Sequence, residues 1–392
     1  MAILGIAVPA RASSPRPPEI PAAAWVLVDA GDGARLAAEH PVESRAMAST
    51  TKLMTAYLAL HELPLDKRLV APPYHPILGE SLLGLEPGER ISVHDLLYGL
   101  LLPSGNDAAL TLADGVAGSP DAFVEEMNAA ARRLGLHHTS YANPIGLDDP
   151  GNYTSPRDLA KLTLRLRRDR LFRRIVDTPQ TTLQTGAHPR TVVNRNDLIL
   201  STPWMNGVKT GYTPDAGNVL VGSGTRKGVT LVSVVMGEPS EATRDDDTIA
   251  LLRYGFSLYR HRTPVERGEM VTTAPVSNAD GELPLLAARS VHVTVRRDER
   301  TDVSVQVPDS VAAPVMRGER IGTATVSVEG TAAGSVPLLA GRSLSVAEGG
   351  SLLARTDGAL PGPRAVVWGI ALGAIAAIVI GIAVALTRGR RD

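Results

Sequence analysis

The sequence of 392 residues predicts an α/β (α+β) domain, then a small all-β domain and a C-terminal transmembrane helix. Three observations predict this. Residues 22–262 interleave strand and helix signals, as a mixed domain does. Beyond Pro264 the helical period vanishes, and alternating valines are separated by Gly and Pro. Residues 366–386 form an uncharged run, VVWGIALGAIAAIVIGIAVAL.

Composition sets the outer bounds. With 44% hydrophobic and 21% charged residues, the chain can bury the cores of two globular domains and is not disordered throughout. Forty Lys plus Arg against 41 Asp plus Glu leave a formal charge of −1, without the basic footprint of general nucleic-acid binding. The absence of cysteine excludes disulfide scaffolds, thiolate metal sites and cysteine nucleophiles. Only Lys52, Lys67, Lys161, Lys209 and Lys227 are lysine; the other cations are arginine, the bias of a GC-rich genome. A lysine retained in that background is a candidate for work arginine cannot do.

In chain order, residues 1–21 hold an apolar stretch, the pattern Ala10-Arg11-Ala12 and a Pro-rich spacer. This resembles the end of a secretory signal peptide, without the usual basic segment before it. Residues 24–38 read as a hairpin around Gly31-Asp32-Gly33. Helices are expected over 92–102 (Ser92 and Asp95 as a capping box), 107–115, 120–134 ending at Gly135, 156–168 and 247–259. A second hairpin is expected over 219–236, turning at 225–228. In the all-β domain, 266–346, strands are marked by Val291, Val293 and Val295, then Val303, Val305 and Val307, then 325–328. A Gly/Pro linker, 347–364, leads to the apolar run. As a helix, its 21 residues span roughly 30 Å, the thickness of a bilayer's hydrocarbon. Trp368 marks one edge, and the basic tail 387–392 places the C-terminus in the cytoplasm. The expected location is the cell membrane, crossed once, with the folded domains outside.

Three short motifs carry chemistry. In Ser49-Thr50-Thr51-Lys52 the hydroxyl and the amine share one helix face. A serine becomes a nucleophile when a base takes its proton, and a lysine is such a base if burial or nearby positive charge keeps it neutral. Of the five lysines, only Lys52 has a serine three residues before it. Ser104-Gly105-Asn106 opens the 107–115 helix, and Lys209-Thr210-Gly211, followed by Tyr212, precedes the second hairpin. Each alone has a plain structural reading, as a helix cap, a turn or a strand end with a solvated lysine. Together, in this order, they form the signature of penicillin-recognising serine enzymes.

On these motifs the chain resembles the low-molecular-mass penicillin-binding proteins, serine-type D-alanyl-D-alanine carboxypeptidases. Ala48 to Thr55, Asn143-Pro144-Ile145-Gly146-Leu147-Asp148 and Tyr153-Thr154-Ser155-Pro156-Arg157-Asp158 add to the likeness, which covers residues 22–262. It implies a catalytic domain of the serine β-lactamase/DD-peptidase fold, with peptidoglycan stem peptides as substrates, β-lactams as covalent inhibitors, and no cofactor or metal. It further implies Ser49 as nucleophile, Lys52 as its base and Ser104 as proton relay. Asn106 would bind the substrate amide, Lys209 would lie opposite Ser104 and Thr210 would contact the substrate carboxylate. The N–H groups of Ser49 and Tyr212 would form the oxyanion hole beside Gly211. Arg244 resembles the arginine that grips the terminal carboxylate, although it also reads as a surface residue beside 245–247.

Other readings have less support. A class A β-lactamase needs a glutamate between the second and third motifs, and residues 127–237 contain none. A non-catalytic wall-binding protein would not need Ser49 and Lys52. The motifs do not separate a carboxypeptidase from a DD-endopeptidase acting on cross-links. The arginines at 165, 167, 168, 170, 173 and 174 read as a solvated helix face.

Overall fold

Alternation along the strands decides the layering. The structure, a computed structural model, describes residues 15–277, 281–346 and 352–353. Its first unit holds the described residues up to Arg260, with Thr294–Arg297. Five antiparallel strands form its main sheet, in the order Arg35–Glu39, Ala24–Asp29, Val229–Glu238, Gly217–Arg226 and Met205–Thr213. Successive side chains point to opposite faces. Val26, Val28, Val219, Val221, Val232 and Val234 therefore enter the larger core, and Trp25, Leu27, Leu220, Leu231 and Val235 the smaller. The larger core is filled by helices α1 (Lys52–Glu62), α2 (Val93–Leu101), α3 (Asn106–Ala117), α4 (Pro120–Leu134), α5 (Pro156–Leu166) and α6 (Arg170–Val176). After the short α7 (Leu198–Ser201), α8 (Glu241–Ser257) contributes Leu251 and Leu252 to the smaller core.

Helix starts follow their caps. Ser92, Ser119, Ser155, Asp169 and Ser240 each accept a hydrogen bond from a backbone N–H in the first turn of the helix that follows. Gly135, left-handed at φ 65°, ends α4. The expected capping box at Ser92 forms only in part. The Asp95 carboxylate does not return to the Ser92 N–H; it accepts from the N–H of Gln184 and Thr185 and from the Thr185 hydroxyl. This ties α2 to a loop 90 residues away.

Two further expectations are corrected. The helix expected over 247–259 begins at Glu241, because Ser240 and Thr243 make a complete capping box. An acidic, weakly apolar first turn hid that start from a search for hydrophobic period, and the earlier start puts Arg244 in the first turn. The arginine cluster is not uniformly solvated. Arg167 and Arg173 are half-buried; Arg167 donates to the Asn206 carbonyl, and Arg173 to the Arg167 carbonyl. Burial first, then the charge of Arg173, lowers the Arg167 pKa to about 10.

The second unit comprises the other described residues from His261 onward. Its five-stranded sheet has the order Met270–Pro275, Glu282–Ala287, Thr331–Ala340, Arg320–Val328 and Thr301–Gln306. Val291 and Val293 are buried as their alternation suggests, as is Val295, which belongs to the first unit. Val303 and Val305 are not: they are 40% and 43% exposed, because their strand is the sheet's edge. Val307 lies beyond that strand's end. Among the described residues no helix is long and apolar enough to cross a membrane. The apolar run 366–386, the tail 387–392 and the candidate signal residues 1–14 lie outside the described residues.

Candidate active site

Ser49 sits in a single 3-10 turn, Ala48–Thr51, that runs directly into α1. Lys52, the first residue of α1, is fully buried. Its Nζ donates to Ser49 Oγ at 3.0 Å and to the Ile145 carbonyl at 2.7 Å. Burial lowers the Lys52 pKa from 10.5 to about 7; Glu80 and Asp107 oppose the shift, and Arg195 adds to it. Near neutral pH this amine therefore exchanges between a charged donor and a neutral acceptor one hydrogen bond from the serine.

The Ile145 carbonyl is held by its own loop. Asn143 Oδ1 accepts from the N–H of Ile145, Gly146 and Leu147, and Thr55 Oγ1 donates to the Pro144 carbonyl. Gly146, at φ 91°, passes so close to the nucleophile turn that a Cβ there would lie 2.0 Å from the Ala48 carbonyl oxygen. Only glycine meets both demands.

The second motif leads into α3. Ser104 is buried in a left-handed conformation, φ 68°, and its Oγ has no hydrogen-bond partner. Asn106 donates from its N–H to the Ser81 carbonyl and from Nδ2 to Glu80 Oε2 at 2.8 Å. Glu80 also accepts from the Tyr74 hydroxyl and the Ile77 N–H. Burial pushes the Glu80 carboxyl up, but these hydrogen bonds outweigh it and hold the pKa below its ordinary value. Asp107, next in the chain, accepts from the N–H groups of Leu83, Gly84 and Leu85 and so anchors the same loop.

The third motif lies on the Met205–Thr213 strand, at the edge of the main sheet. A Cβ on Gly211 would lie 3.0 Å from both Ala48 Cβ and Ser49 N, so glycine lets the strand reach the serine turn. Lys209 is buried, and its Nζ donates to the Thr210 carbonyl at 2.8 Å, not to Ser104. Burial, then the charges of Lys52, Arg195 and Arg244, lower its pKa well below 10.5. The Tyr212 side chain is exposed.

A cavity of about 350 Å³ opens over these groups, lined by Ser49, Ser104, Thr210, Tyr212, Arg195 and Arg244. Arg244 is only 4% exposed; its Nε donates to Asp245 at 2.9 Å, and Glu241 lies 3.6 Å from its guanidinium. The cavity thus joins residues from three motifs and from α8. Sequence reasoning missed Arg195, Glu80, Asn143 and the Ile145 carbonyl. Asn143 carried a local signal, an Asn directly before a Pro-x-Gly turn; the others carried none. Arg195 is held between Asn194 and Asn196, both buried and donating to backbone carbonyls.

A serine beside a partly neutral buried lysine, under a sheet edge and an arginine, defines the class of serine hydrolases that act through an acyl-enzyme. Comparison with known proteins agrees. The D-alanyl-D-alanine carboxypeptidase family, peptidase S11, matches residues 11–240, and the C-terminal domain of penicillin-binding protein 5 matches 259–345. The chain belongs to the S11 family. The D-alanyl-D-alanine carboxypeptidase DacC of Escherichia coli K12 is 33% identical over 347 residues, 82% of this chain and 84% of that protein. DacF of Bacillus subtilis 168 is 29% identical over 85% of this chain and 88% of its own length. Among solved structures, penicillin-binding protein 6B of Escherichia coli superposes with a TM-score of 0.61 at 29% identity, covering 83% of this chain and 96% of that one. An S216A mutant of the Streptomyces K15 DD-transpeptidase gives a TM-score of 0.59 at 34% identity, covering 62% and 100%.

Proposed function

We propose that this protein removes the terminal D-Ala from peptidoglycan stem pentapeptides through an acyl-enzyme on Ser49. The observation that carries the reading is the 3.0 Å contact between Ser49 Oγ and an amine whose pKa burial has brought to about 7. Neutral Lys52 takes the Ser49 proton as Oγ attacks the penultimate D-Ala carbonyl. The oxyanion is met by the N–H groups of Ser49 and Tyr212, a placement favoured by the close approach at Gly211. Ser104, whose hydroxyl has no protein partner, passes a proton to the departing amine. Asn106 binds the peptide amide, Arg244 and Thr210 hold the terminal carboxylate, and Lys209 tunes the field. Water then hydrolyses the ester and regenerates the serine. No step needs a cofactor or a metal.

The enzyme works on the outer side of the membrane, held by residues 366–386 with the basic tail inside. The length, apolarity and flanking charge of that run support this placement. Incubating the protein with a stem pentapeptide ending in D-Ala-D-Ala should release one alanine by mass. Labelled penicillin, a mimic of that dipeptide, should acylate Ser49 and leave Ser49→Ala unlabelled. A label that maps elsewhere would refute the assignment.

A further inference from the structure

The segment from Gly79 to Gly84 walls two clefts. Gly79 and Ser81 line the cavity over Ser49, and Leu82, Leu83 and Gly84 line an adjoining cleft of about 790 Å³. Glu80 lines neither. It turns to Asn106 instead. Its Oε2 accepts from Asn106 Nδ2 at 2.8 Å and from the Tyr74 hydroxyl, and its Oε1 accepts from the Ile77 N–H at 3.2 Å.

The start of α3 fixes the backbone on either side of Glu80. The Asn106 N–H donates to the Ser81 carbonyl at 2.8 Å, and the Asp107 carboxylate accepts from the N–H groups of Leu83, Gly84 and Leu85. Tyr74 keeps its proton and remains a donor, because burial and then its hydrogen bond to Glu80 raise its pKa. Three donors thus converge on one carboxyl and hold it ionised against the cost of burial.

An anion at that place has two consequences. An ionised carboxylate only accepts hydrogen bonds, whereas the two ends of an Asn side chain differ: Nδ2 donates and Oδ1 accepts. Nδ2 must therefore face Glu80, which leaves Oδ1 as the end that can accept the N–H of a substrate amide. A neutral amide in place of Glu80 would pair with either end. The second consequence is electrostatic. Of the charges acting on Lys52, that of Glu80 is the strongest; with Asp107 it favours the charged amine, against burial and Arg195. Lys209 interacts with the same amine.

We propose that Glu80 is a positioning residue of the catalytic site: it fixes the Asn106 amide in the one orientation that accepts a substrate N–H, and its charge governs when Lys52 is free to act as base. It acts through these two side chains, not on the reacting atoms. The inference rests on the Ser49 acyl-enzyme reading above.

The test follows acylation of Ser49 against pH, in the full chain in detergent, with two compounds. Benzylpenicillin carries an acylamino N–H; 6-aminopenicillanic acid lacks it, and its reaction is read as lost uptake of labelled penicillin. Glu80→Gln should lower the plateau rate with benzylpenicillin about tenfold and leave that with 6-aminopenicillanic acid within about twofold. It should also move the pH midpoint of acylation down by about half a unit to one unit with both compounds, because the amine loses its strongest counter-charge. Glu80→Asp separates the two roles. Its shorter arm should break the contact with Asn106 and cost the same tenfold with benzylpenicillin alone, while its retained charge holds the wild-type midpoint. An unmoved midpoint in Glu80→Gln, or one that falls in Glu80→Asp, would overturn the proposal. So would equal losses on the two compounds in either variant, which would make Glu80 a prop for its loop. Wild-type protein that takes no label at Ser49 would instead overturn the acyl-enzyme reading.

Discussion

The two units bury different things. In the first, Lys52, Lys209, Asp107, Asp158 and Arg244 are all inside, with a dozen and more buried Thr, Ser and Asn side chains. In the second, the buried residues among those described are aliphatic throughout: Ala274, Leu283, Leu285, Ala324, Val326, Val336 and Leu338 form its interior. A buried charge costs several kcal/mol unless it is paired or neutralised, whereas a buried aliphatic side chain contributes about 1.5–3 kcal/mol. The first unit accepts that penalty where the chemistry is done. The described residues of the second bury aliphatic side chains and no charged one.

The comparison is tested most severely at Lys52. Lys52→Arg keeps the charge but cannot become a neutral base, so penicillin acylation should fall by about two orders of magnitude or more. Labelling near the wild-type rate would remove Lys52 from the mechanism. Acylation of the wild type should rise with pH through about 7 as Lys52 loses its proton. Stability should rise over a higher window. Between about 7 and 10.5 the unfolded chain binds a proton at this lysine that the folded chain does not, so stability increases with pH by up to about 1.4 kcal/mol per unit. The Lys209 amine, its pKa lowered in the same sense, adds to this slope. Lys52→Met should flatten it in denaturant titrations at several pH values and abolish acylation. An unchanged slope would show that the charge is not buried at a cost.

In the second unit the expectation reverses, with large effects on stability and none on chemistry. Leu285→Ala, at a fully buried position, should destabilise that unit by about 2–5 kcal/mol while Ser49 acylation stays within twofold. Calorimetry paired with penicillin labelling reads both, and a parallel loss of labelling would break the contrast.

Arg244 comes next. Its replacement by Ala should lower kcat/KM for D-Ala-D-Ala peptides roughly ten- to a hundredfold, about 1.5–3 kcal/mol for a charged hydrogen bond. A substrate with its terminal carboxylate amidated should be almost unaffected, whereas equal losses on both would make Arg244 structural. The smallest effect is expected at Val303. On an exposed edge strand, Val303→Thr should change stability by less than about 0.5 kcal/mol.

The pair Glu238 and Asp247 adds a slope of the opposite sign in the first unit. Burial beside Asp247 pushes Glu238 from 4.5 up to about 8. The folded chain therefore holds a proton that the unfolded chain has lost, and stability falls as pH rises from about 4.5 to 8. Glu238→Gln should remove that fall without touching the slope above pH 8.

Legibility followed distance along the chain. The Ser49–Lys52 contact spans three residues, and the caps Ser92, Ser119 and Ser155 act within one turn, so all could be read locally. The hairpins were legible for the same reason. The carbonyl that holds Lys52 is 93 residues away, and the carboxylate that holds Asn106 is 26 away. No local pattern announces such partners. Arg244 was in between: its type was suggestive, but its helix start was hidden by the acidic first turn.

By itself, the sequence determined which side chains were available, the order of the three motifs, and the aliphatic alternation of the strands. These depend on residue type and spacing, which the chain carries before it folds. Tertiary structure alone decided that Lys52 is half neutral near pH 7, because desolvation is a sum over all the atoms that exclude water from its amine. It alone also brought Gly211 so near Ser49 that a Cβ there would lie 3.0 Å from the Ser49 nitrogen, and joined two cavities at Arg195 and Glu241. Each of these is made by segments that meet only once the sheet and its helices have closed around one core.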